Sequence, residues 1–187
     1  MRNLYLVRHG MPDFKDGIKL CIGRTEIDLG ETGKEECKKL REFFAKKNIS
    51  KVYTSPLIRC VNTAKIIADD RLDVEIEPGL MEIFMGEWEG VPLKDIKKDL
   101  ESEPVTGEKR INGLMRMERA LKAILERSSG DIICVAHAGI NCAFISKVIG
   151  EPLEQSRGIR QPYACYNHFE IDDNMNFRAI EIGMLPK

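Results

Sequence analysis

The chain has 187 residues, of which 43% are hydrophobic and 32% charged, and its formal net charge is −1. This length and composition predict one soluble globular domain spanning residues 1–187. A nearly neutral chain has no overall basic field, so we expect neither nucleic acid nor a membrane surface as a partner. Any site for an anion must therefore be a local cluster of arginines.

The six cysteines form no Cys-x-x-Cys pair, which argues against zinc knuckles and redox motifs. None is followed by an arginine six positions later, so the arrangement of the cysteine-nucleophile phosphatases is absent as well. The apolar run at residues 4–7 is too short for a signal peptide or a membrane span. We therefore expect buried thiols in a reducing compartment and a cytoplasmic protein.

In the first half of the chain, short apolar runs typical of strands alternate with segments of helical periodicity. Thr32 and Glu35 predict a capping box at the start of one helix. Ser55 followed by Pro56 predicts the N-cap and first position of another. The predicted elements, in chain order, are a strand at 3–7, a helix at 32–47, a strand at 51–54, a helix at 55–68 and a strand at 74–77.

The second half continues the alternation after a charged segment, residues 91–110, that contains Pro92, Pro104 and Gly107. We expect this segment to be a short cap-like excursion with a short helix, whose basic residues, including Arg110, are solvated. The later elements are a helix at 112–128, a strand at 132–136, a helix at 140–149 and strands at 166–171 and 177–182. This order predicts an α/β layer fold.

Five polar side chains follow the predicted strands. Arg8 and His9 end the first strand, Arg59 lies one turn into the helix after the second, Glu82 follows the third, and His137 ends the apolar central strand. Open α/β sheets bind ligands at the carboxyl ends of their strands. We therefore expect these side chains to converge at one edge of the sheet.

The residue types at this edge suit the transfer of a phosphoryl group. Arg8 and Arg59 can bind phosphate oxygens with forked hydrogen bonds. His9 can attack phosphorus through a ring nitrogen if its imidazole is neutral, and two nearby arginines lower the pKa of an imidazole. We therefore predict His9 as the nucleophile.

The remaining groups complete the chemistry. His137 is predicted to be a second donor to the phosphate, together with the backbone N–H of Ala138 at the start of the next helix. Glu82 is predicted to protonate the leaving alkoxide and then to deprotonate the attacking water, so it must begin the cycle protonated.

Other candidates have simpler interpretations. The acidic turn at 172–174 is typical of a hairpin, and with only three histidines in the chain we predict no metal site. His168 falls in the middle of a predicted strand and is expected to be structural. Trp88, the only tryptophan, is expected to be a core anchor beneath the Glu82 loop.

These motifs together resemble the histidine phosphatase superfamily, also called the phosphoglycerate mutase-like family. The likeness extends from Leu4 to Ile182 and keeps the family's order of motifs. The matching segments are Arg8-His9-Gly10, Ser55-Pro56-Leu57-x-Arg59, Leu80-x-Glu82 with Gly86-x-Trp88-Glu89-Gly90, and His137-x-Gly139. The resemblance implies a three-layer α/β/α sandwich with a mainly parallel sheet and a covalent phosphohistidine on His9.

Two further segments gain a role from this resemblance. Cys21 to Thr25 is similar to the family's glycine-centred loop over the phosphate, which makes the backbone of Gly23 a candidate phosphate contact. Arg160 and Gln161 correspond to a segment near the pocket in the small phosphatases of the family.

The function implied is that of a phosphomonoesterase of small phosphorylated metabolites, without metal or cofactor. The chain is similar in size to the small-phosphatase branch, which includes α-ribazole phosphatases and broad-specificity phosphatases. A phosphoglycerate mutase and a non-catalytic relative that binds phosphorylated ligands remain alternatives. The physiological substrate and the oligomeric state are left open by the sequence.

Overall fold

A computed structural model of the chain describes residues 1–96, 99 and 102–187. The strands within these residues are β1 (Arg2–Arg8), β2 (Ile49–Thr54), β3 (Val74–Ile76), β4 (Asp131–Ala136), β5 (Tyr166–Ile171) and β6 (Phe177–Met184). They form one sheet in the order β3-β2-β4-β1-β5-β6. The first four strands in this order are parallel, whereas β5 and β6 pair in antiparallel fashion. The prediction of a mainly parallel sheet is confirmed.

Helices cover both faces of this sheet. They are α1 (Glu31–Phe44), α2 (Ile58–Ala68), α3 (Arg110–Arg127) and α4 (Ala138–Ile149). Side chains alternate along β1, so that Tyr5 and Val7 pack in one core with α1 and α2, whereas Leu4 and Leu6 pack in the other with α3 and α4. The result is the expected α/β/α sandwich. Within the described residues, no helix combines the length and the apolar character needed to cross a membrane.

Both predicted helix caps are wrong, although the observed element boundaries lie within three residues of the predicted ones. Helix α1 begins after Gly30, and no side chain caps it, because its first turn packs closely against the backbone of Met11. Helix α2 begins only after Leu57. Ser55 instead continues the alignment with β4, since its N–H donates to the carbonyl oxygen of Val135 across 2.9 Å.

A short helix was predicted in the segment 91–110. This segment contains the four residues that the structure does not describe, Lys97, Lys98, Leu100 and Glu101, so the prediction lies partly outside the described residues. The prediction that Arg110 is solvated is wrong. Its side chain is buried, and its guanidinium donates hydrogen bonds to the carbonyl oxygens of Ser102, Leu153 and Glu154. These carbonyl acceptors replace the water that an arginine normally binds.

Candidate active site

The carboxyl ends of β1, β2 and β4 meet at one edge of the sheet, as parallel pairing requires. The N–H of His9 donates to the carbonyl oxygen of Ala136 across 3.1 Å, and the rings of His9 and His137 have centroids 5.1 Å apart. A cavity of about 370 Å³ opens here. Residues that line it include Arg8, His9, Gly23, Arg59, Glu82 and Ala138, and His137 lies fully buried behind it. The structure thus brings together every site residue that the sequence singled out.

His9 presents a defined ring nitrogen to its neighbours. Its Nδ1 lies 2.7 Å from the carbonyl oxygen of Gly10, which makes Nδ1 the donor of the ring. Its Nε2 then accepts a hydrogen bond from Nε–H of Arg59 across 3.3 Å. Burial, followed by the charges of Arg8 and Arg59, holds the pKa of His9 well below its usual range. The imidazole is therefore neutral, with its lone pair on Nε2.

Arg59 ties the helix α2 to the glycine-centred loop. Its guanidinium is fully buried and donates to the carbonyl oxygens of Gly23, across 2.6 Å, and Thr25, across 2.8 Å. These bonds use two of its nitrogens, while the third reaches His9. Arg59 therefore fixes the loop and the imidazole relative to each other.

Glu89 holds the glycine-centred loop, Cys21 to Thr25, in place. This carboxylate accepts hydrogen bonds from the N–H of Arg24 and the hydroxyl of Thr25, each across 2.9 Å. Gly23 has a φ of +44°, and a Cβ at this position would lie only 2.1 Å from Oε1 of Glu89. Only glycine fits this close approach without displacing the carboxylate.

Arg8 is oriented by residues that the sequence did not assign to it. Its Nη1 donates to the carbonyl oxygen of Gln161, and its guanidinium lies 3.7 Å from the ring centroid of Tyr163. Its Nε is buried and has no hydrogen-bond partner among the described residues. A donor left without an acceptor in a cavity wall suits an anionic ligand.

Glu82 occupies the N-terminus of α4. One oxygen, Oε1, accepts from the N–H groups of Ile83 and Ile140, each across 2.9 Å. The other, Oε2, accepts from the N–H of Gly139 across 3.0 Å. A Cβ on Gly139 would lie 2.8 Å from Oε1, so glycine allows the carboxylate to approach the helix. Oε2 therefore has fewer hydrogen-bond partners than Oε1.

The backbone of the Glu82 loop is held by two arginines from other parts of the chain. Arg24 Nε donates to the carbonyl oxygen of Glu82 across 2.8 Å, and Arg116 donates to that of Met81 across 2.9 Å. Glu108 bridges the two guanidinium groups, with a distance of 2.8 Å to each. No local spacing indicates this network, because Arg24 lies more than 80 residues from Glu108 and Arg116 along the chain.

His137 is held by Ser55, a serine that the sequence assigned to a helix cap. Oγ of Ser55 lies 2.8 Å from Nε2 of His137, and both side chains are fully buried. The thiol of Cys60 lies 3.4 Å from the same nitrogen. Burial, then the charges of Arg59 and neighbouring groups, holds the pKa of His137 well below its usual range. His137 is therefore also neutral in the folded chain.

Two other predictions have different outcomes. Trp88 is not a core residue: it is half-buried, lines the cavity, and has the guanidinium of Arg157 5.5 Å from its ring centroid. His168 lies in β5 outside the cavity, where it stacks on Tyr5 and contacts Oδ1 of Asn3 across 2.7 Å. Among the described residues, no group of three or more metal-ligating side chains is placed to hold a metal ion.

Comparison with known proteins identifies the family. The model of the "Histidine phosphatase superfamily (branch 1)" matches residues 4–180. The chain belongs to this superfamily. It is a phosphatase, and the family expectation drawn from the four motifs is confirmed.

Several relatives match along most of their length. The adenosylcobalamin/alpha-ribazole phosphatase of Escherichia coli K12 is 29% identical, over 96% of this chain and 94% of the relative. The glucosyl-3-phosphoglycerate phosphatase of Mycolicibacterium vanbaalenii is 24% identical, over 82% of this chain and 77% of the relative. Among solved structures, YhfR of Bacillus stearothermophilus superposes with a TM-score of 0.87 at 23% identity, covering 98% of this chain and 97% of that chain. These likenesses agree with the fold described above.

Proposed function

We propose that this phosphatase hydrolyses small phosphate monoesters through a phosphohistidine on Nε2 of His9, without a metal ion. The observation that carries the proposal is the state of His9: its imidazole is neutral, its Nδ1 is engaged by Gly10, and its Nε2 lies at the cavity beside Arg59. The neutral imidazole is the form that attacks phosphorus, and the Nε2 lone pair becomes available when the N–H of Arg59 turns from Nε2 to the bound phosphate.

In the first step, the Nε2 lone pair forms a bond to phosphorus while the bond from phosphorus to the ester oxygen breaks. Oε2 of Glu82 supplies a proton to the departing alkoxide. In the second step, a water molecule attacks phosphorus, Glu82 takes up one of its protons, and the bond from Nε2 to phosphorus breaks. The products are an alcohol and inorganic phosphate, and the enzyme returns to its starting state.

The phosphoryl oxygens need donors throughout both steps. The unpartnered Nε–H of Arg8 and the guanidinium of Arg59 supply positive charge at the cavity. Ala138, the first residue of α4, adds a backbone N–H at a helix N-terminus. We assign His137 as a further donor, because its ring centroid lies 5.1 Å from that of His9, and the backbone of Gly23 as a contact, because Gly23 lines the cavity.

The names of the two relatives described above support hydrolysis rather than retention of the phosphoryl group. The relatives from Escherichia coli and Mycolicibacterium vanbaalenii are both named phosphatases of small phosphorylated metabolites. On this basis we assign a small-molecule phosphate ester as the substrate.

The test is release of inorganic phosphate from 4-nitrophenyl phosphate in the presence of a metal chelator. We expect turnover by the native chain and a loss of at least about a thousandfold in the His9→Ala variant. The His168→Ala variant, which removes the histidine outside the cavity, is the matched control and should retain activity. Turnover that persists in His9→Ala would overturn the proposal.

A further inference from the structure

The cavity is much larger than a phosphate group requires. Its volume of about 370 Å³ falls in the range of sites that enclose drug-sized ligands. It extends from His9 past Trp88 to Pro104. The part beyond His9, Arg59 and Glu82, here called the outer chamber, must therefore receive the rest of the substrate.

The walls of the outer chamber are largely apolar. Aliphatic and aromatic side chains reach it from several separate segments of the chain: Leu20, Ile22, Ile83, Trp88, Leu93 and Ile159. Several of these are partly exposed in the cavity, with Leu93 46% exposed. An apolar body that covered them would remove this surface from water, which favours binding.

Most of the charged groups described in this chamber are paired within the protein, whereas the printed contacts of Arg157 are with backbone carbonyl oxygens and the Trp88 ring. Glu108 is bridged by Arg24 and Arg116, each at 2.8 Å. Glu103 lies 3.5 Å from Arg110, whose remaining donors bind backbone carbonyl oxygens. The charges of Glu103 and Glu108 are therefore largely balanced by Arg110, Arg24 and Arg116.

Trp88 and Arg157 both line this chamber and contact each other. The guanidinium of Arg157 lies 5.5 Å from the indole centroid. Its Nη1 donates to the carbonyl oxygens of Asp99, across 3.0 Å, and Ser102, across 3.3 Å, which holds the arginine across the chamber. An indole and a guanidinium are both groups on which aromatic rings stack.

We propose that the outer chamber selects phosphate monoesters whose body is uncharged and aromatic or otherwise apolar, with Trp88 as the main specificity-determining residue. The proposal rests on the proposed function, since it assigns the substrate class of the same site.

The experiment compares esters of primary alcohols, so that the leaving groups are chemically alike. We would measure kcat/KM for 3-phenylpropyl phosphate, 3-hydroxypropyl phosphate and 3-phosphoglycerate, whose phosphate is also on a primary carbon. We expect 3-phenylpropyl phosphate to exceed each of the others by roughly tenfold or more. In Trp88→Ala this preference should fall by about tenfold, whereas Trp88→Phe should keep most of it.

Two further variants make the result decisive. Leu93→Ala, at a more exposed position in the chamber wall, should lower the preference by about threefold. It tests the proposal independently if Trp88→Ala does not fold. Ile180→Ala removes a similarly exposed apolar side chain from β6, outside the cavity, and should leave the preference unchanged. Equal kcat/KM for the three esters, or a preference unaltered in both Trp88→Ala and Leu93→Ala, would overturn this proposal. Hydrolysis that does not depend on His9 would instead overturn the proposed function.

Discussion

Nε–H of Arg59 donates a hydrogen bond to Nε2 of His9 across 3.3 Å, and both side chains are buried. A positively charged donor to Nε2 stabilises the neutral imidazole, in which Nε2 carries a lone pair, and opposes protonation of this nitrogen. The same guanidinium also fixes the carbonyl oxygens of Gly23 and Thr25. One arginine therefore couples the charge state of the imidazole to the position of the loop above it.

The two buried histidines should make the stability of the fold depend on pH. Burial, and after it the nearby arginines, hold the pKa of His9 and of His137 well below 6.5, so the unfolded chain binds protons that the folded chain does not. The free energy of unfolding should therefore fall as the pH drops below about 6.5, by up to about 1.4 kcal/mol per pH unit for each histidine. Urea unfolding between pH 7.5 and 5.5 measures this slope.

A variant separates the contribution of His9 from those of the other titrating groups. His168 also has its pKa lowered, chiefly by burial, and adds to the total in the same direction. The slope of His9→Asn between pH 7.5 and 5.5 should therefore be smaller than that of the native chain, by about 0.7 kcal/mol per pH unit on average. Identical slopes would show that His9 is not held neutral by the fold.

Ser55 should matter for turnover because its hydroxyl lies 2.8 Å from Nε2 of His137. We expect Ser55→Ala to lower kcat by about tenfold, since the ring of His137 loses the contact that orients it, at a cost of about 1 kcal/mol in stability. Ser156→Ala is the matched control: Ser156 is buried too, but its Oγ has no partner among the described residues. An unchanged kcat in Ser55→Ala would mean that His137 needs no such support.

Replacement of Glu82 by glutamine should lower kcat/KM by an amount that depends on the leaving group of the ester. Glutamine keeps the shape of the side chain but cannot donate a carboxyl proton, so kcat/KM for an alkyl phosphate should fall by about a hundredfold or more. The loss for 4-nitrophenyl phosphate should be far smaller, because nitrophenolate leaves without a proton. Equal losses on both esters, measured as phosphate release, would argue against Glu82 as the acid.

The loop above the phosphate should tolerate no side chain at Gly23. Gly23→Ala places a methyl group 2.1 Å from the position of Oε1 of Glu89, so this carboxylate must move away from the loop that it holds, and we expect kcat/KM to fall by about tenfold or more. Gly90→Ala is the matched control, because Gly90 also has a positive φ but open space around it. It should cost about 1 kcal/mol in thermal unfolding and leave kcat/KM nearly unchanged. Equal effects of the two substitutions on kcat/KM would count against the assigned loop contact.

The parallel sheet and the convergence of the site residues could be predicted from the sequence. Both predictions depend on polar residues that directly follow apolar strand segments. His9 directly follows β1 and His137 follows β4, and these strands pair in parallel. Once the pairing is assumed, the two imidazoles must lie at the same edge. Such residues can be found from local pattern alone.

The support around the site could not be predicted in this way. Gln161 contacts Arg8 although it lies 153 residues further along the chain, and no local sequence spacing indicates this contact. The interpretation of Trp88 was wrong for a related reason: a single large aromatic residue between two glutamates is suited to a core anchor and to a cavity wall alike. The burial of Arg110 was not predicted, because it depends on backbone carbonyl acceptors that lie beside the guanidinium only in the folded chain.

The most direct test of the mechanism is to trap the phosphoenzyme. The native chain would be mixed with 4-nitrophenyl phosphate, quenched in strong base within milliseconds, and digested for mass spectrometry. We predict an acid-labile, base-stable phosphoryl group on His9, absent from the His9→Ala variant. Rapid turnover with no phosphoryl group on His9 at any quench time, together with inversion of configuration at a chiral phosphorus, would contradict the account.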